Sequence, residues 1–301
     1  MDANDEGPGE LDGVPLRHGF RPGRGVRLHT VEAGPEGGPP VLLLHGFPDL
    51  WWGWRHQVAP LARAGFRVVA PDLRGYGTSD RPRGAAAYDL DLLADDVVAL
   101  ADSLGADRVS LVGHDWGGIV AWWVAAREPG RVARLAVLNA PHPSAFGPYV
   151  RRHPAQALRS WYAGFFQVPR LPEALLSARG FAALGAAMTR SAMPGTFGPR
   201  DLAIYRRAWA RPGAVGAMLD WYRALARRNP AAGREARIAA PTLLAWGVRD
   251  VALQRGLAGA SLALCDAPAA PPLWLPHATH WAHMERPEAV NAALVAHLRP
   301  G

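Results

Sequence analysis

Along this chain, short unbroken apolar runs alternate with stretches of helical periodicity. "PPVLLLHGF" (39–47), "RVSLVGHD" (108–115), "VARLAVLNAP" (132–141) and "APTLLAWGVRD" (240–250) are continuous apolar runs of the kind that parallel sheets bury on both faces. "VRLHTVEAG" (26–34) alternates instead and predicts an edge strand. "FRVVAPDLRG" (66–75) predicts a strand running into a loop, and "PPLWLPHATHW" (271–281) a last strand. Helical spacing runs over 88–104, with Gly105 as its C-cap, then through "WGGIVAWWVAAREPG" (116–130) and through the closing "RPEAVNAALVAHLRP" (286–300). Strands alternating with helices predict an α/β fold with a mostly parallel central sheet and flanking helices.

That rhythm is lost over 141–237, where helical stretches are broken by "PHPSAFGP", "VPRLPE", "MPGTFGPR" and "RPGA". The pattern predicts a helical cap inserted between two parts of one core, 27–140 and 238–301. Residues 1–26 are polar, hold no apolar segment of a secretory signal, and are expected to form a flexible leader.

Composition narrows the classes. With 301 residues and 49% apolar content the chain can bury a large core. All 33 basic residues are arginine, spread along the chain among 26 acids, so no compact block marks a nucleic-acid site. The absence of lysine reads as compositional bias, and the net charge of +7 says little about partners. Cys265 stands alone and no His/Cys cluster has zinc spacing, so a reducing cytoplasmic setting without metal or cofactor is expected. No run of about 18 apolar residues predicts a membrane span. Monomer and homodimer are not distinguished.

The chemistry centres on Gly113-His114-Asp115-Trp116-Gly117, the G-x-S-x-G elbow with aspartate in place of serine, set between strand and helix. A helix N-cap is the simpler role for such an aspartate. A carboxylate, however, is ionised at neutral pH and attacks an sp³ carbon unaided, leaving an ester that water must cleave. That second step calls for backbone N–H donors, and those of Phe47, after "VLLLHG", and Trp116 are the candidates. It also calls for a base: of His277, His280 and His283 the position beyond "LWLP" favours His280. Asp250, directly after "PTLLAWGV", fits the orienting acid, whereas Asn139 at the alternative place carries no charge.

"VLLLHGFPDLWWGWRHQ", "APDLRGYGTSDRP", "VGHDWGGIVAW", "LNAPHPSAF" and "ATHW" together resemble the α/β-hydrolase superfamily and, within it, the epoxide hydrolase family. "RRHPAQALRSWYAGFFQVPRLPE" and "LDWYRAL" resemble the cap of that branch. The resemblance implies that Tyr162 and Tyr222, two of only six tyrosines, bind the epoxide oxygen and protonate it. It also implies a pocket bounded by Phe47, Pro48, Trp116, Phe166 and Trp281 for a small apolar epoxide. One departure is Thr279, where the family commonly has glycine. The nearest alternative is a haloalkane dehalogenase with the same Asp nucleophile. Against it, Phe47 stands where those enzymes usually offer Asn or Glu, and the tyrosines would lack a task. A non-catalytic small-molecule receptor is the alternative from another class.

Overall fold

The computed structural model describes residues 7–266 and 270–299. A short hairpin of β1 (Glu10–Leu11) and β2 (Val14–Pro15) precedes β3 (Arg17–Pro22) and β4 (Arg27–Ala33). The core then continues with β5 (Pro40–Leu44), α1 (Arg55–Arg63), β6 (Arg67–Pro71), α2 (Leu90–Ser103), β7 (Val109–His114), α3 (Trp116–Arg127) and β8 (Val132–Leu138). Six helices follow without a strand among the described residues: α4 (Pro143–Arg152), α5 (Pro154–Arg159), α6 (Trp161–Phe165), α7 (Leu171–Ser191), α8 (Pro199–Trp209) and α9 (Ala214–Arg227). The helical path of α7 is broken at 178–181. The chain returns to the core with β9 (Thr242–Gly247), α10 (Gly256–Leu262), β10 (Leu273–Leu275), α11 (Ala282–Glu285) and α12 (Pro287–Leu298).

Eight strands form one sheet in the order β10-β9-β8-β7-β5-β6-β4-β3. The pairs from β10 to β6 are parallel, and β4 runs antiparallel to both β6 and β3. β7 is buried at every position, as its unbroken apolar run requires, with α3 packed against it and β5 and β8 on either side.

Two expectations for the N-terminal part are corrected. Residues 17–22, assigned to a flexible leader, form the outermost strand, with β3 paired to β4 over six residues. Its polar sequence fits an edge strand, whose ladder bonds come from one neighbour while half its side chains face water. Arg21 binds it further, to Glu32 and to the Ser103 carbonyl. β4, expected at the edge, is therefore interior, and six of its seven residues are buried. The first six residues of the leader lie outside the described ones.

Two of the six inserted helices, α8 and α9, are pinned to the core by hydrogen bonds from aromatic side chains. The indole N–H groups of Trp209 and Trp221 donate to the carbonyls of Pro48 and Arg74, and the Tyr205 hydroxyl donates to Asp49 at 2.8 Å. All three rings are buried, so each bond works in a low dielectric where losing a partner is costly.

Candidate active site

Five neighbouring parallel strands end on the same side of the sheet, and a chemically important residue follows each one. Phe47 comes after β5, Asp115 after β7, Asn139 after β8, Asp250 after β9 and His280 after β10. Open α/β sheets place ligands at this carboxyl edge.

Asp115 sits at the tip of the turn with φ 50° and ψ −121°, a strained conformation for a residue with a side chain. The turn needs space around it. A Cβ on Gly117 would lie 2.1 Å from the Leu44 carbonyl oxygen, and one on Gly46 would lie 2.4 Å from the Asp115 Cβ. Glycine alone permits these approaches. The Asp115 side chain makes no capping bond to α3, so the N-cap reading does not describe it. Instead Oδ1 accepts the Phe47 N–H at 2.8 Å, while Oδ2 lies 3.5 Å from Nε2 of His280. Trp116 begins the helix. The adjoining His45 holds the loop in shape: its Nδ1–H donates to Gly46 O and its Nε2 accepts the Leu73 N–H.

On its other edge His280 donates from Nδ1 to Asp250 Oδ2 at 2.8 Å. Asp250 is fully enclosed and saturated. The same Oδ2 accepts Asn139 Nδ2–H at 2.7 Å, and Oδ1 accepts the N–H groups of Ala252 and Leu253. Asn139, discounted from sequence as an acid, thus supports the acid, and its own Oδ1 accepts the Gly247 N–H. Two further residues went unnoticed in the sequence. His114 donates from Nε2 to the His280 carbonyl at 2.8 Å, and Glu285 accepts from both Thr279 N–H and Thr279 Oγ. The position of His114 beside the nucleophile was the available signal; Glu285 offered none, because its role depends on how the loop folds back. Thr279, the departure from the family's glycine, is therefore held by Glu285. His277 and His283 do not join the pair: His277 lies near Arg249, and His283 is buried against Trp54 and His114.

The electrostatics follow from these contacts. Burial disfavours a charged His280 ring, yet the carboxylates of Asp250 and Asp115 overcome it and push its pKa up to about 10. Burial likewise works against both carboxylates, but the His280 partner holds Asp115 and Asp250 below the ordinary aspartate value. Burial lowers His114 to about 3, so this ring is neutral.

Above Asp115 two cavities meet. One of about 350 Å³ is bounded by Phe47, Pro48, Phe166, His280 and Trp281, and one of about 110 Å³ by Trp116, Ile119, Pro141, Phe146 and Leu225. Asp115, Tyr162 and Tyr222 line both. The ring of Tyr222 packs edge-on to Trp116 at 4.9 Å, to Phe47 at 5.3 Å and to Tyr162 at 6.1 Å. Burial, then the Asp115 charge, raises both phenol pKa values, so both hydroxyls keep their protons. The arrangement combines an ionised nucleophile, a backbone donor, a charged imidazole and two proton donors around one apolar space.

A family model described as the alpha/beta hydrolase fold matches residues 39–287. The chain belongs to the alpha/beta hydrolase fold family. This alpha/beta hydrolase is 39% identical to the AB hydrolase superfamily protein YfhM of Bacillus subtilis, over 96% of this chain and 99% of that one. It is 36% identical to epoxide hydrolase A of Mycobacterium tuberculosis, over 91% of this chain and 94% of the relative. Among solved structures, an epoxide hydrolase of Bacillus megaterium in complex with an inhibitor superposes with a TM-score of 0.83 at 28% identity, covering 93% of this chain and 99% of that one. Epoxide hydrolase A of Mycobacterium thermoresistibile gives 0.77 at 33% identity, covering 94% and 98%. No helix among the described residues is long and apolar enough to cross a membrane.

Proposed function

We propose that the protein is an epoxide hydrolase that opens a small apolar epoxide through an ester on Asp115 and releases a vicinal diol. The observation that carries the reading is the presence of two protonated tyrosines, Tyr162 and Tyr222, in the same cavities as an ionised aspartate nucleophile. In this reading 141–237 is the cap, and the elements from β3 to β8 with those from β9 to α12 are the core. The named epoxide hydrolases among its relatives support it.

Asp115 Oδ1 is engaged by Phe47, which leaves Oδ2 as the attacking oxygen. As it bonds to a ring carbon, the C–O bond breaks and the departing alkoxide takes a proton from a tyrosine hydroxyl. A phenol is a suitable acid for so basic a leaving group. A halide would need no such acid, which weighs against dehalogenation.

The ester then changes His280. Alkylation removes the Asp115 charge, one of the two carboxylates that hold the imidazolium, so the ring yields its proton to the tyrosinate left by ring opening. Neutral His280 takes a proton from water as the water oxygen adds to Cγ of Asp115. The Phe47 and Trp116 N–H groups stabilise the oxyanion at Oδ1. Collapse breaks the ester, His280 passes the water proton to the diol oxygen, and the new Asp115 carboxyl gives its proton to the imidazole, which restores carboxylate and imidazolium. Protein groups and water supply every step.

The test is diol release from an aromatic and an aliphatic epoxide beside halide release from haloalkanes, for wild type and Asp115→Asn. Diol without halide, lost in the variant, is expected. Halide without diol would transfer the reading to a dehalogenase, and ligand binding without turnover would transfer it to a receptor.

A further inference from the structure

The arginines that look evenly spread along the sequence are unevenly balanced by acids. Residues 141–200 hold seven arginines and a single acid, Glu173, so this part carries six of the chain's seven net positive charges. Glu173 is itself neutralised by Arg223 at 2.6 Å. Arg151, Arg152, Arg170 and Arg179 enter no ion pair among the described residues, and all four are exposed.

The same region holds most of the large apolar side chains left in water. Leu158 is 76% exposed, Trp161 67% and Val251 57%, and Val168, Leu171 and Leu175 follow on the way into α7. These residues are not scattered with respect to the site. Trp161 and Val251, both exposed, line the larger active-site cavity together with Arg159 and so mark its mouth. Arg159 and Val251 also border a polar groove completed by Arg249 and Arg255. Exposed tryptophan and leucine flanked by unpaired arginine form a surface for the boundary of an anionic bilayer, where the ring sits at headgroup level and the guanidinium groups meet phosphates.

We propose that the face around α4, α5, α6 and the start of α7 docks on anionic phospholipid, with the cavity mouth against the bilayer. Lipophilic substrates then pass from lipid to the cavity without crossing water. The docking is independent of the reaction assigned above.

The experiment is co-sedimentation of the full chain with vesicles of phosphatidylcholine alone and with an equal share of phosphatidylglycerol. Two double variants accompany it: Arg151→Gln with Arg152→Gln, and Leu158→Ser with Leu175→Ser. Binding should be about tenfold stronger to the anionic vesicles, weaken with salt, and fall in both variants. The variants should melt with wild type, since all four side chains are exposed. Equal binding to both vesicle types, no binding, or binding untouched by the substitutions would overturn the proposal. So would a dimer in sedimentation velocity that the leucine variant dissociates, because the patch would then cover a second copy. None of these readouts requires epoxide turnover, so failure here is separable from failure of the enzymatic reading.

Discussion

Asn139 and His280 meet at one oxygen: each donates to Oδ2 of Asp250, at 2.7 and 2.8 Å. The amide therefore fixes the carboxylate that fixes the imidazole. In Asn139→Ala the Gly247 N–H also loses its acceptor. A buried donor left unpaired costs about 1–3 kcal/mol. Urea denaturation should show that loss, and turnover should fall with it while the initial alkylation of Asp115 stays close to wild type. Equal slowing of both steps would mean that the amide acts on the whole site and not on the base.

Replacing Asp115 by Asn removes a charge 3.5 Å from His280 Nε2. The His280 pKa should then drop from its value of about 10, because one of the two groups that raise it is gone. NMR titration of the imidazole reads this directly. An unchanged pKa would mean that Asp250 alone sets it.

His280→Gln should alkylate and then stall. Mass spectrometry of the peptide containing Asp115 should show a substrate-sized increase that persists. An unmodified peptide after long incubation would sink the two-step mechanism.

Tyr162→Phe and Tyr222→Phe together should slow ring opening by about 10²–10⁴-fold, the usual contribution of a positioned acid. The melting temperature should remain near that of wild type, since both rings keep their aromatic neighbours. Wild-type rates in the double variant would favour dehalogenation.

Stability should depend on pH through His280. Its folded pKa of about 10 lies above the ordinary 6.5, so the folded chain holds a proton that the unfolded chain releases between those values. The contribution is complete below about 6.5 and is lost as pH rises through 10. Denaturation midpoints should fall over that window in wild type and more shallowly in His280→Gln.

Local pattern alone determined the alternation of strands and helices, the helical stretch after β8 and the order of the elbow, acid and base along the chain. These are properties of neighbouring residues: apolar periodicity selects the element, and glycines at 113 and 117 mark a turn that side chains would block. The tertiary structure decided what depends on distance across the fold. The polar segment 17–22 became a sheet edge because β4 offered it a ladder, a partner no local signal names. Asn139 and Asp250, 111 positions apart, share a hydrogen bond because β8 and β9 are neighbours in the sheet. Glu285 reaches Thr279 because the chain turns back after β10. Likewise, Arg159 comes to line the cavity beside Val251, 92 positions away, only because the inserted helices fold over the ends of the strands. Sequence spacing selects elements, whereas packing selects which of their ends meet.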